Sequence, residues 1–278
     1  MTMQQITLCE KWTGLCNQLF AFATGVSNAK QAGHKKASVG SFSPTLNSKQ
    51  RVPVTKIIDL VTTGKRVGVE LVNGTDYGRP CFGWYDRNNE QEFVHILRSI
   101  QFQPVFYTLA QKLFDKYIDS TRPLHVIHFR IEQDGITHWS RMNKMTPRAF
   151  KQQLYRKYRK AITEHIPNGS QILALTFDVN HLLLKELSKR YTIIGVDTIK
   201  LVKERIGFTG REVCAIVDLL LGIKCSGTFV GCHNLILKRG STFSYTLWKL
   251  MNNAKKGVFL DLDKITAELQ IRPLTGIS

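Results

Sequence analysis

His128 and Arg130 stand two apart in His125-Val126-Ile127-His128-Phe129-Arg130-Ile131-Glu132-Gln133-Asp134. Side chains alternate along an extended segment, so both residues would share one face. Arg130 would end the strand, where its planar fork of donors suits the oxygens of a diphosphate. Glu132 and Asp134 follow, so an ion-pair role for the arginine stands beside the phosphate role. A second segment, Gly240-Ser241-Thr242-Phe243-Ser244-Tyr245, places three hydroxyls at the expected start of a helix. One hydroxyl is enough for an N-cap. The others, with Lys238 and Arg239 just before them, suit an anion at a positive helix end. A well-capped surface helix accounts for the same residues. The third segment is the turn Gly14-Leu15-Cys16-Asn17-Gln18-Leu19-Phe20. Gly14 allows a tight bend, and free N–H groups at the helix start could receive an anion or a sugar hydroxyl. A structural turn with Asn17 as N-cap explains it equally well.

The elements needed to position these segments can be read from periodicity and breakers. A strand over Gln4–Cys9 leads through the glycine turn into an amphipathic helix, Asn17–Ala32, ended by Gly33. Residues 34–89 are broken by Pro, Gly and Asn, with β-like pieces such as Arg66–Val72. Helices are expected over Glu90–Ile100 and Pro104–Asp119. Thr121-Arg122-Pro123 then interrupts the pattern and marks a domain boundary, giving domains 1–120 and 121–278. The second half alternates cleanly. Strands are expected over Leu124–Phe129, Ile172–Phe177, Thr192–Val196, Thr228–Gly231 and Val258–Asp261. Helices over Thr146–His165, Asn180–Arg190, Arg211–Lys224 and Ser241–Asn252 separate them. Such alternation implies an α/β fold with a parallel sheet and right-handed crossovers. Ligands of these sheets sit beyond the carboxyl ends of the strands, which is where Arg130 falls.

Composition narrows the classes further. Hydrophobic residues make up 43% and charged residues 22% of 278, an ordinary globular balance. No apolar run approaches the ~20 residues that cross a bilayer. The opening MTMQQITLCEKW has no basic start followed by an apolar stretch, so no secretory signal is expected. The six cysteines form no CxxC pair, which speaks against a zinc site or a disulfide framework. A cytoplasmic location is expected. Lys and Arg number 39 against 21 Asp and Glu, a net +18. Residues 1–120 carry 14 basic and 9 acidic residues, and residues 121–278 carry 25 and 12. An anionic ligand for the second half or a merely solvated surface would each explain the bias.

In order along the chain, these segments resemble the motifs of the α1,2-fucosyltransferase and protein O-fucosyltransferase group. The GLCNQLF turn is similar to their GLGNQLF or GxGNQ turn, and HFRIEQD to their H-x-R-x-x-D-type motif. DLLLGIKCSGTFVG followed by GSTFSYTLW resembles their D-x-L-L-L-S-x-C-D-x-F-I-G run and closing S-T-F-S-W-W segment. The resemblance implies a GT-B-like pair of Rossmann-type domains, parallel sheets facing across a cleft. It also implies inverting, metal-independent sugar transfer with no cofactor. The partners would be a nucleotide diphosphate sugar, GDP-fucose by default, and an oligosaccharide or glycoprotein acceptor. Residues 1–120 would serve the acceptor and residues 121–278 the donor. Arg130 would bind the donor diphosphate, with His128 and Glu132 around it. Gly14, Asn17 and Gln18 would border the donor. Ser241, Thr242 and Ser244 would contact phosphates or sugar, with Phe243 as a wall. Asp178 would lie near the nucleotide, and Asp218 would contact the base or serve structure. Two features depart from the group: Cys16 stands where Gly is usual, and Cys232 to Gly240 lengthens the link before the Ser241 segment.

Transfer without a metal needs fixed positive charge for the departing diphosphate and a base for the acceptor hydroxyl. Arg130 and the Ser241 helix start would supply the first. Asp76 or Glu10 would supply the second, with Asp76 preferred because a Gly-rich loop can project an acid. Trp84, Tyr85 and Trp139 could stack on sugars or fill the core. Asp261-Leu262-Asp263 spells the metal-binding DxD of another transferase class, but its place near the C-terminus suits capping acids before a helix over Lys264–Leu269. The alternatives are a UDP-sugar donor such as UDP-xylose, a nucleic-acid-binding protein and an inactive glycan-binding module. The nucleic-acid reading would use the basic stretch Arg148–Lys160, with Tyr155 and Tyr158 interleaved.

Overall fold

The computed structural model describes residues 3–8, 14–45, 50–74, 89–207 and 210–273. The chain divides into two compact units, Met1–Leu109 with Thr198–Val217, and Ala110–Asp197 with Asp218–Ser278.

In the first unit β1 (Gln4–Ile6), α1 (Leu15–Gln31), β2 (Lys36–Val39), α2 (Leu60–Val67), β3 (Glu70–Asn73) and α3 (Glu90–Ser99) follow one another. Among the described residues, its sheet is β1-β2-β3, all parallel. α1 presses on β1 through Gly25, where a Cβ would fall 2.6 Å from Ile6 Cγ2. Leu19, Phe22, Ala23 and Val26, at helical spacing, are buried beneath it. The β-like reading of Arg66–Val72 holds for Glu70–Val72, in β3, and is corrected for Arg66 and Val67. Asp59 caps α2 by accepting from the Thr62 N–H at 2.9 Å, so Arg66 and Val67 complete a helix. Gly68, at φ 75°, ends that helix and releases the chain into β3.

α4 (Pro104–Tyr117) leads into the second unit. There β4 (Leu124–His128), α5 (Gln133–Met142), α6 (Pro147–His165), β5 (Gln171–Leu175), α7 (Leu182–Leu187) and β6 (Thr192–Ile194) build half of a sheet. The chain returns to the first unit with α8 (Thr198–Ile206) and the start of α9 (Arg211–Gly222). β7 (Thr228–Gly231), the short strands β8 (His233–Asn234) and β9 (Arg239–Gly240), α10 (Thr242–Leu250), β10 (Lys256–Phe259) and β11 (Gln270–Pro273) then complete the second unit. The order is β11-β10-β7-β4-β5-β6, parallel except for β11 on β10. Winding therefore runs outward from β4 in both directions, the doubly wound pattern of nucleotide-binding sheets. The core beneath it joins Ile127, Phe129, Val230 and Val258 of the sheet to Phe150, Leu154, Tyr158 and Ile162 of α6.

Several expectations move. The division expected at residue 121 differs in that residues 110–120 belong to the second unit and 198–217 to the first. The backbone N–H of Glu212 bonds to the Pro44 carbonyl at 3.0 Å, which ties that returning segment to the first unit. α5, α8 and β11 had no counterpart in the sequence reading. Asp261-Leu262-Asp263 opens a turn rather than a helix.

Candidate functional site

β4 is flanked by β5, which follows it in the chain, and by β7, which arrives after a long excursion. The crevice where winding direction changes lies at the carboxyl ends of β4 and β7, the usual ligand position in doubly wound sheets. His128 ends β4, and Cys232 follows β7. A closed ring of hydrogen bonds joins the two strand ends. His128 Nδ1 lies 2.7 Å from Ser244 Oγ, which accepts the Cys232 backbone N–H at 2.9 Å. Cys232 Sγ lies 2.7 Å from Tyr158 Oη. Tyr158 donates to the His128 carbonyl at 2.9 Å and accepts the Arg130 N–H at 2.8 Å. Burial pushes the Cys232 thiol up to about 12 and the Tyr158 phenol well above its usual range, so both stay neutral. The ring fixes the backbone on both sides of Phe129, and with it the start of the Arg130 side chain.

Arg130 holds two carboxylates. One Nη donates to Glu132 Oε2 at 2.8 Å and the other to Asp134 Oδ2 at 2.9 Å. Burial opposes its charge, but Glu132 and Asp134 outweigh that effect and its pKa rises. The guanidinium rests on α5 at Gly135, where a Cβ would lie 3.2 Å from Arg130 Cζ. That seat explains a glycine inside a helix, and the glycine is what hid α5 in the sequence. The two carboxylates are unequal: the Glu132 side chain is 16% exposed and the Asp134 side chain 49%.

α10 starts at the same strand ends. Its N-cap is Ser241, whose hydroxyl accepts the Ser244 N–H at 3.4 Å and whose own N–H bonds to the Cys232 carbonyl at 2.8 Å. Ser241, Thr242 and Phe243 are half-buried, and the Phe243 ring lies 4.8 Å from the His128 ring. Ser244 is corrected. It is fully buried and its hydroxyl is engaged by His128 and Cys232, so it positions the histidine rather than meeting a ligand.

Beside β5, Asp178 is exposed and braces its own turn by accepting the Asn180 N–H at 3.1 Å. Near it, His181 Nδ1 accepts the Leu183 N–H, so its proton sits on Nε2 and points to Tyr155 Oη, 2.6 Å away. Burial first, then the Asp178 charge, pushes the Tyr155 phenol up to about 12. Asp218 lies on α9, and burial pushes its carboxyl up to about 7.

Gly14, Asn17 and Gln18 belong to the first unit. The expected anion position at the start of α1 is taken by the chain's own Glu212, whose Oε2 accepts the Leu15 N–H at 2.5 Å. Gln18 is also corrected: it is buried, with its amide bonded to both the N–H and the carbonyl of Ser43, and clasps a loop. Asn17 sits half-buried in the first turn of a helix whose cap is Gly14. Glu10, Asp76, Trp84 and Tyr85 lie outside the described residues. Trp139 packs against the core of the second unit. Asp261 accepts the N–H groups of Asp263 and Lys264 and the Asn234 side-chain amide, so it braces a turn. Among the described residues no cluster of three or more His, Cys, Asp or Glu side chains could hold a metal. No helix among them is long and apolar enough to cross a membrane.

The Arg148–Lys160 stretch loses its aromatic rungs, because Tyr158 is buried and Tyr155 is bonded to His181. Arg159 is bidentate to Glu186, and Lys157 donates to the Ala267 carbonyl.

The structure matches fucosyltransferase NodZ from Bradyrhizobium at TM-score 0.63 and 13% identity, over 99% of this chain and 100% of that one. It matches POFUT1 in complex with GDP-fucose at TM-score 0.57 and 10% identity, over 92% of this chain and 97% of that one. The chain has the GT-B fold of these fucosyltransferases. No protein-family model and no curated protein matches the sequence. In this GT-B chain the second unit is a six-stranded Rossmann-type sheet with His128, Arg130 and the start of α10 at its switch point. The lengthened link from Cys232 to Gly240 is the β8–β9 hairpin. Tyr158, Cys232 and Glu212 were not among the residues expected at the site. Tyr158 could have been found, because Phe150, Leu154, Tyr158 and Ile162 form an apolar stripe at i, i+4 spacing that turns it inward.

Proposed function

We propose that the protein transfers a sugar from a nucleoside diphosphate donor to a glycan hydroxyl, with inversion and without a metal. The observation that carries this reading is the meeting of Arg130 and the α10 N-terminus at the carboxyl ends of β4 and β7. Both present positive charge where a doubly wound sheet takes a phosphate. Asp134, the more exposed partner of Arg130, would yield its place to the diphosphate, since half-exposed ion pairs contribute about 1 kcal/mol or less. Glu132 would stay and hold the fork. Ser241 and Thr242 would bond to the phosphates or the sugar, and Phe243 with His128 would wall the pocket. Asp178 and Asp218 would serve the nucleoside side. The acceptor hydroxyl would attack the anomeric carbon directly as the diphosphate leaves, its proton passing to Asp76 or Glu10. Arg130 and the helix N-terminus would take the charge of the leaving group.

The second unit would be the donor domain and the first the acceptor domain. GDP-fucose is the default donor, because NodZ soaked with GDP-fucose and POFUT1 in complex with it share the fold. The acceptor would be an oligosaccharide or glycoprotein. Cys225 and Cys232 are free, buried thiols, which supports a cytoplasmic location.

A ligand that binds only the folded state raises its melting temperature. GDP in EDTA is expected to raise that temperature by several degrees, and UDP by less. A shift with UDP alone would transfer the reading to a UDP-sugar. No shift with either, beside a salt-sensitive shift with DNA, would end the transferase reading.

A further inference from the structure

The β8–β9 hairpin is built to hold an apolar tip in the open. Its strands pair His233 with Gly240 and Asn234 with Arg239, and residues 235–238 form the turn. At the tip Ile236 is 67% exposed and Leu237 54%. The tip is held rigidly. Asn234 Oδ1 accepts the N–H groups of both Ile236 and Leu237, at 3.0 and 2.8 Å. The Asn234 amide donates to Asp261 Oδ2 at 2.6 Å, and the Leu235 N–H bonds to Gln270 Oε1 at 3.1 Å. At the base Gly240 is in the left-handed half of backbone space at φ 116°, and a Cβ there would fall 2.9 Å from the Cys232 carbonyl. The hairpin is therefore braced from three sides while two adjacent aliphatic side chains face water.

Cations surround the tip. Lys238 and Arg239 complete the turn, and Arg239 is exposed. Lys264, also exposed, shares the Asp261 cap that holds Asn234. Gln270, which holds Leu235, begins the edge strand β11, where Ile271 is 50% exposed and Arg272 is exposed. Asp263 also lies here, its carboxyl pushed up by burial and by the Asp261 charge, with Arg239 pulling the other way. A rigid pair of aliphatics with a basic rim matches an interface of hydrocarbon beneath negative headgroups. The net +18 of the chain adds long-range attraction to such a surface.

We infer that the β8–β9 hairpin docks the protein on an anionic lipid surface, with Ile236 and Leu237 entering the headgroup layer and the basic rim on the headgroups. This does not depend on the sugar-transfer reading. It does place the Ser241 end of the site, one residue past the hairpin, close to a membrane surface, where a lipid-borne acceptor would be presented.

The test is co-sedimentation of the whole protein with vesicles of phosphatidylglycerol and phosphatidylcholine in equal parts, against phosphatidylcholine alone. The wild type is expected to pellet with the anionic vesicles and not with the neutral ones, and to be released by high salt. The variant Ile236→Ser/Leu237→Ser should bind about tenfold or more weakly, since the apolar side chains supply the insertion. Lys238→Gln/Arg239→Gln should weaken binding about tenfold and reduce its salt dependence. Ile236, Leu237 and Arg239 are exposed and Lys238 is half-buried, and an unchanged melting temperature would certify the fold of both variants. A serine variant that pellets like the wild type would overturn the proposal. So would a wild type that ignores anionic vesicles, or a serine variant whose only defect is a raised KM for a soluble glycan acceptor.

Discussion

Arg130→Ala is expected to weaken GDP binding about a hundredfold or more while the protein stays folded, as truncating one member of a desolvated charged contact commonly costs about 2–5 kcal/mol. The side chain is one-fifth exposed and lies between Glu132 and Asp134, on a seat of Gly135. Removing it takes away the fork and leaves two carboxylates facing the place where the diphosphate would sit. Companion variants separate this from misfolding. Arg130→Lys keeps the charge but loses the planar fork and should fall in between. Asp134→Asn removes the competitor for the fork and should tighten GDP binding several-fold, the opposite sign. Titration calorimetry on all three gives the answer, with melting curves as the control. Unchanged affinity in a folded Arg130→Ala protein, or weaker binding in Asp134→Asn, would remove the arginine from the donor site.

Glu212→Ala is the substitution expected to cost most stability. The Glu212 side chain is only 6% exposed, and its carboxylate accepts the Leu15 N–H in the first turn of α1. The N-cap there is Gly14, which offers no side-chain acceptor. Removing the carboxylate would leave a buried N–H unsatisfied at the positive end of the helix, a loss of about 2–3 kcal/mol. It would also loosen the hold of the 198–217 segment on the first unit. Glu212→Gln keeps an acceptor without the charge and should cost about half as much. Urea unfolding followed by circular dichroism would measure both. Because the chain has two units, the loss should appear in the transition of the first unit. Equal stability of the alanine variant and the wild type would show that α1 is capped otherwise.

The second half of the chain was largely legible in its sequence, because buried parallel strands are short apolar runs set off by helices. Thr228–Gly231 was located to the residue, and α6 carries its start signal in full: Thr146 caps it and Pro147 is its first residue. What escaped notice depended on contacts between distant residues. α5 contains a glycine that only the Arg130 guanidinium explains. The return of residues 198–217 to the first unit rests on Pro44 and Leu15, more than 150 positions away. The candidate site divided in the same way. Type and spacing brought out His128, Arg130 and Ser241, but could not tell a ligand-facing hydroxyl from a structural one. Ser244 and Gln18 carry suitable groups, and burial has assigned both to the protein's own backbone and side chains. The Tyr158–Cys232 contact joins residues 74 positions apart, and no local pattern announces it.

Turnover tests sugar transfer most directly. Purified protein would be incubated in EDTA with GDP-fucose and a panel of glycan acceptors, and released GDP measured together with the mass of the acceptor. The expected result is GDP release that depends on an acceptor, an acceptor heavier by one fucosyl residue, and loss of both in Arg130→Ala. GDP binding that is tight but never accompanied by transfer, with any acceptor and with metal restored, would contradict it and leave a nucleotide-binding protein on a transferase fold.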